Sequence, residues 1–487
     1  MTTRDFPCWA GGFAHQLQKL RSTAAPTLHQ FELLFAAWIP HWRLAQQDEG
    51  EHSRNRRWNL RLVFWTFLWQ VAQTGASCRE AIRQAQALCQ NAGRPLPPDT
   101  DSPYCQARGG LPLERLEQIH DGLCAEAHQA LGTKDLWCGH HVLVADGSSL
   151  TAPDTPANQK AFPQQSVQKP GCGFPIIRLV ALLSLASGML TAWATGPWSH
   201  HELGLLQTLW DGLRCGDVLL ADRGFCNWAL LAQCMQRGVH AVLRVKGVRR
   251  RDFRQGKRLS RDERLVQWRK PAQRARTIDA KTWALLPEVL DLRLVRCRLT
   301  LPGFRTRRVI LVTTLLDSAK YPSQALSELY FRRWAMELTL RNIKTTLQMD
   351  QLSCKNPENL EREIRMHFLV HNLVRRLMLE AARRHRVPLE RVSFAGSLAA
   401  ARRYGEGLLQ ARSKRQRQKL MQELFSVLAT DLVPDRPGRR EPRALKRRPK
   451  PYPRLMNNRH TWLEIPHQNR YYANSMFGTR YRRSSKA

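Results

Sequence analysis

Between residues 138 and 246 short apolar runs alternate with helix-like segments, and their order limits the fold more than any other feature. HHVLVAD (140–146) reads as a strand ending on Asp146. IIRLVALLSLASGMLTAWA (176–194) breaks at Ser187-Gly188 and reads as a two-stranded hairpin. A helix is expected over 200–213, followed by the strand DVLLAD (217–222), which also ends on an aspartate. A helix at 227–237 and the strand HAVLRVK (240–246) complete the run. Antiparallel strands come first and strand–helix–strand units after, so the order predicts a mixed α/β sheet.

Helical regions are expected on both sides. Leu60 to Gln73 is rich in Trp, Phe and Leu, Thr74-Gly75-Ala76-Ser77 breaks it, and Cys78 to Cys89 forms a second helix with Arg79, Arg83 and Gln84 outward. That outline fits a helix–turn–helix or an ordinary helical hairpin. Arg94-Pro95-Leu96-Pro97-Pro98 reads as a linker. Residues 244–270 carry 12 Lys/Arg against 3 Asp/Glu, and LRLVRCRLTL (292–301) is β-like, which marks a basic, β-rich insertion at about 247–308. Strand VILVTTL (309–315) resumes the core, a long helix follows over 323–348, and further helices occupy 357–429. The division expected is a helical domain (1–135), a catalytic domain with its insertion (136–349), a helical C-terminal region (350–430) and a tail (431–487). Pro content and charge, 15 Lys/Arg to 2 Asp/Glu over 436–487, predict that the tail is partly disordered.

Lys plus Arg is 77 and Asp plus Glu 40, a net charge of +37. With 43% hydrophobic residues the chain is globular in composition, so such a charge calls for a polyanion, DNA or RNA before an anionic membrane. Leu179 to Trp193 is too short to span a bilayer, and the first residues lack the features of a signal peptide. The expectation is a soluble cytoplasmic protein without membrane attachment. The 12 cysteines include no C-x-x-C pair, and Cys138, His140 and His141 have no second ligand pair, so reduced thiols are expected rather than a zinc site.

Asp146 (VLVADGS) and Asp222 (LLADRGF) sit at expected strand ends, where α/β sites lie, each beside a glycine. Either aspartate alone would read as a turn opener. The helix at 323–348 adds Tyr330, Arg333, Glu337 and Lys344, which at ~100° per residue fall within a stripe about 60° wide. A solvated face with an i,i+4 pair would not need the tyrosine. Three carboxylates from two strands and a helix suit two Mg²⁺ or Mn²⁺ ions and in-line phosphoryl transfer, with Arg333 and Lys344 holding phosphates.

Tyr330-x2-Arg333-x3-Glu337-x6-Lys344 resembles the Y-R-E-K signature of bacterial DDE insertion-sequence transposases (insertion sequence family four). The blocks around Asp146 and Asp222, with Pro153-Asp154-Thr155, Asn158-Gln159 and Gly173-Phe174-Pro175 between them, are similar to the same family. So are Ser77-Cys78-Arg79 and Tyr104-Cys105-x-Ala107-Arg108, which extends the resemblance over roughly 60–380. It implies an RNase H-like mixed sheet with a β-rich insertion, and Asp146, Asp222 and Glu337 as the metal-binding catalytic triad. It implies DNA contacts from Tyr330, Arg333 and Lys344, and cut-and-paste chemistry with water and then a 3′-OH as nucleophile. Partners implied are terminal inverted repeats, recognised by the N-terminal domain, and target DNA, with the enzyme a homodimer at the nucleoid. Hairpin-forming members stack a flipped base on an insertion tryptophan shortly before the catalytic helix. Here no Trp lies between 284 and 333, which leaves Trp283 or Phe304 for that stacking.

His367 and His371 form H-x3-H, but Phe368 stands where a metalloprotease helix carries Glu, so core or DNA-facing histidines are expected. Asp154 and Asp350 read as a turn and a helix-end residue rather than ligands. Two competing functions are a silent, transposase-derived DNA-binding protein and an RNase H-like structure-specific nuclease. The complete set of carboxylates speaks against the first and the Y-R-E-K helix against the second.

Overall fold

The computed structural model describes residues 30–45, 57–246, 253, 255–299, 307–434, 462–464 and 481–483. Most of the basic tail, part of the insertion and Phe304 therefore lie outside the described residues.

The N-terminal helices are α1 (Gln30–Phe35), α2 (Leu60–Ala72), α3 (Cys78–Asn91), α4 (Asp101–Gly109) and α5 (Leu113–Gln129). Asn59 caps α2 by accepting from the Leu62 N–H, and Gly75 turns the chain at φ +77°. Ser77 and Glu80 then close a capping box that starts α3. Arg79 and Arg83 are exposed on α3 and line a groove with Trp69 and Ser77, while Gln84 is half-buried against Gln30.

Then come β1 (Val142–Thr151), α6 (Pro156–Ala161), β2 (Ile176–Ser184), β3 (Leu190–Pro197), α7 (Glu202–Gln207), β4 (Val218–Ala221), α8 (Trp228–Gln236) and β5 (His240–Arg244). The insertion supplies β6 (Lys257–Ser260), β7 (Glu263–Arg269), α9 (Ala280–Ala284) and β8 (Val289–Leu299), and β9 (Arg307–Thr313) returns to the core. All nine strands form one sheet ordered β3-β2-β1-β4-β5-β9-β8-β7-β6. β1 pairs antiparallel with β2 and parallel with β4, β4 is parallel to β5, and β9 is antiparallel to β5. The first five strands thus have the mixed, RNase H-like order 3-2-1-4-5. The insertion extends that sheet through the β8–β9 ladder rather than standing apart from it.

Alternation along the strands gives the sheet two apolar faces. Leu143, Ala145, Leu219 and Ala221 pack with α7 and α8, whereas Val142, Val144, Val218 and Leu220 face the helices that follow β9. Those are α10 (Ser323–Arg332) and α11 (Trp334–Arg341), which ends in a π-helical turn, Asn342–Thr346. The single helix expected over 323–348 is therefore two segments joined at Arg333. Around that joint the ladder tightens, with the Arg333 N–H donating to the Tyr330 carbonyl (3.3 Å) and the Met336 N–H to that of Arg333 (3.0 Å).

The chain continues as α12 (Pro357–His385), α13 (Phe394–Gln410) and α14 (Lys414–Thr430). These share one hydrophobic core with α2–α5, in which Phe64, Trp65, Leu373, Leu377 and Leu424 are all buried. Burying each such side chain contributes about 1.5–3 kcal/mol. A short ladder, β10 (Trp462–Glu464) with β11 (Tyr481–Arg483), lies in the tail.

Candidate active site

Strand register brings the two aspartates together. Parallel pairing of Ala145 with Ala221 makes Asp146 and Asp222 the next residues in line, both on the face that packs against α10 and α11. Asp222 follows the last residue of β4, as expected. Asp146 does not end its strand. β1 runs on to Thr151 because Gly147 through Thr151 stay paired with β2, and only the β4 side is open beyond Ala145. Gly147 is thus a strand residue rather than a turn. A Cβ there would meet the end of the Glu202 side chain at 2.5 Å, so a larger residue would push that carboxyl aside.

The helix stripe meets this edge residue by residue. Tyr330 donates from its hydroxyl to Asp222 Oδ1 at 3.1 Å. Arg333 donates to Asp146 Oδ2 at 3.4 Å and to Glu337 Oε1 at 2.6 Å. Lys344, on the π-helical turn, reaches farther along β1 and donates to Ser148 Oγ (3.3 Å) and to the Ser149 carbonyl (2.9 Å). Tyr330, Arg333 and Lys344 of the expected stripe therefore reach the sheet, Glu337 is tied to it through Arg333, and the Arg333 guanidinium over the Tyr330 ring (5.9 Å) links the Asp222 pair to the Asp146–Arg333–Glu337 set.

Burial pushes the Asp146 carboxyl up to about 6, against the Gly147 N–H and Arg333, with repulsion from Glu337 and Asp222 adding to it. Burial and then the charge of Asp222 raise Tyr330, so its hydroxyl stays protonated and donates. Burial opposes the charge on Arg333, but the hydrogen bond to Glu337 and the fields of Tyr330 and Asp146 hold its pKa above the ordinary value. Lys344 is lowered by burial.

An all-carboxylate donor set suits a hard divalent cation, which would relieve the mutual repulsion that Asp146 feels. As placed, no three His, Cys, Asp or Glu side chains among the described residues converge into a metal cage. Two of the carboxylates are instead spanned by Arg333.

The sequence does not single out Arg244, Phe331 or Trp334 at this edge as site residues. Arg244, at the end of β5, lies 3.9 Å from Asp222. Trp334 and Phe331 are exposed beside the stripe, at 45% and 37%. Trp283, expected as one of two candidates for base stacking, packs edge-on against Trp228 and beneath Lys270 on the sheet face opposite Asp146 and Asp222, so it is not brought to this group. His367 and His371 are buried in the core, with burial holding their pKa values down at about 4 and 3. His140 is hydrogen-bonded to the Gly216 carbonyl and the Tyr321 hydroxyl.

Residues 137–373 match the family model described as a transposase DDE domain. Over 404 residues the chain is 28% identical to the transposase InsG of insertion sequence element IS4 from Escherichia coli (strain K12), covering 82% of this chain and 88% of that protein. It is also 28% identical over 211 residues to the putative transposase InsZ of the same organism, covering 42% of this chain and 68% of that one. Among solved structures, the cryo-EM structure of a piggyBac transposase synaptic complex with hairpin DNA aligns at a TM-score of 0.38 and 10% identity, over 86% of this chain and 88% of that one.

Proposed function

Given that the chain belongs to the DDE transposases, enzymes of metal-dependent phosphoryl transfer on DNA, we propose that Asp146, Asp222 and Glu337 are its catalytic, metal-holding carboxylates. The observation that carries this reading is the register-enforced adjacency of Asp146 and Asp222, with Glu337 brought to them through Arg333. When bound, two Mg²⁺ or Mn²⁺ ions supply activation of the attacking oxygen and stabilisation of the leaving oxygen. The chain's own groups position the reactants. Tyr330 orients the Asp222 carboxylate, and Arg333 and Lys344 take phosphates of the DNA strand beside the cleaved bond. Trp334, next to Arg333 and 45% exposed, is the aromatic residue that would stack an unpaired base.

The enzyme cuts at the ends of its element with water as nucleophile and joins the freed 3′-OH to target DNA. Residues 1–135 serve as the end-binding domain, with Arg79 and Arg83 on α3 meeting the inverted repeat, and residues 136–349 carry the chemistry. Two protomers act together at the nucleoid, with the basic insertion and tail along the DNA. No helix among the described residues is long and apolar enough to cross a membrane.

The test mixes purified protein with a DNA fragment bearing the element's inverted repeats, with and without Mg²⁺ or Mn²⁺. Asp222→Ala is expected to bind that fragment but neither cut nor join it. Cleavage by the variant at the parent's rate would overturn the assignment.

A further inference from the structure

Arg333 lies between two carboxylates that come from different elements. One guanidinium nitrogen meets Asp146 of β1 at 3.4 Å and the other meets Glu337 of α11 at 2.6 Å, and the side chain is only 14% exposed. A guanidinium is a planar fork that can bridge two anions at once. Its backbone sits at the joint where α10 gives way to α11, the one tightened turn between Tyr330 and Glu337. Such a turn inside a helical stretch is a natural place for a small rearrangement. Asp146, Asp222 and Glu337 are not drawn together as a metal cage in this arrangement.

We propose that Arg333 is an internal counter-ion that occupies Asp146 and Glu337 in the DNA-free protein and is drawn off them by a DNA phosphate, so that metal loading follows DNA binding. This rests on the reading of Asp146, Asp222 and Glu337 as metal ligands. The same guanidinium cannot neutralise two carboxylates and hold a phosphate at full strength. Phosphate capture therefore frees the carboxylates, and a divalent cation replaces the positive charge they lose. By reciprocity, metal that occupies the carboxylates leaves Arg333 available and tightens DNA binding by the same factor. An idle transposase would thus hold its metal site closed away from DNA.

The experiment measures Mn²⁺ affinity of the full chain by electron paramagnetic resonance and calorimetry, not activity. Without DNA, Arg333→Gln is expected to bind Mn²⁺ about ten-fold more tightly, because an adjacent arginine lowers a carboxylate's proton affinity by at least about ten-fold and competes with a cation in the same way. Arg333→Lys should tighten it less, since one ammonium cannot span both carboxylates, and this variant serves if Arg333→Gln fails to fold. A short duplex is expected to raise the parent's Mn²⁺ affinity more than that of Arg333→Gln. Unchanged or weaker Mn²⁺ binding by the folded variants, or an equal gain from the duplex in parent and variant, overturns the proposal. Asp146→Asn/Asp222→Asn/Glu337→Gln should abolish this binding, and its persistence would overturn the ligand assignment and this proposal with it.

Discussion

Asp146→Asn should make the metal-free protein more stable while removing its activity. Burial lifts the Asp146 carboxyl from 3.8 to about 6. Folding therefore favours the neutral form, and the stability this represents is complete below about pH 3.8 and lost as pH rises through about 6. The difference, about two pH units, corresponds to roughly 3 kcal/mol against the folded state at pH 8. The side chain is 22% exposed and paired with Arg333, so solvent and the lost ion pair reduce the gain to about 1–3 kcal/mol. Asparagine keeps the shape and removes the charge. Urea unfolding in chelator should show the variant ahead of the parent at pH 8, with the gap falling to about half at pH 5. Added Mn²⁺ should stabilise the parent and leave the variant nearly unchanged. A variant no more stable than the parent at pH 8, or a gap independent of pH, would mean that the buried Asp146 charge does not oppose folding.

Gly147→Ala should only push the flexible Glu202 carboxyl aside, costing less than about 1 kcal/mol in urea unfolding, and Glu202→Ala should remove that cost. Glu263→Gln should strand the fully buried Arg293, which also holds the Tyr321 carbonyl just ahead of α10, and thermal unfolding should register a loss of about 3–5 kcal/mol. Ser77→Ala should remove the capping box of α3 at a cost of about 1 kcal/mol, seen as faster hydrogen exchange at the first amides of that helix.

The strand order and both aspartates were legible because apolar runs and their ends follow directly from burial. The length of β1 was not. The apolar run stops at Asp146, yet Gly147 through Thr151 are held extended by the β2 ladder, a long-range pairing that local composition does not encode. The helix stripe was visible from spacing alone, whereas the tightened turn at Arg333 involves neither Pro nor Gly, and nothing in the local sequence marks it. Glu202, Arg244 and the Glu263–Arg293 pair belong to segments far from the signature, and only the folded sheet brings them to its neighbourhood. Recognition of the Y-R-E-K pattern named the group of residues; the register of β1 against β4 explains why they meet.

Asp146, Asp222 and Glu337 are proposed to hold the ions that cut DNA. Crystals of the protein with a pre-cleaved element end, soaked in Mn²⁺ and measured at its absorption edge, test this most directly. Anomalous density ligated by these three carboxylates beside the terminal phosphate, with Arg333 turned onto the DNA, is the result expected. Density bound elsewhere, with the three carboxylates free of metal, would rule them out as the metal ligands.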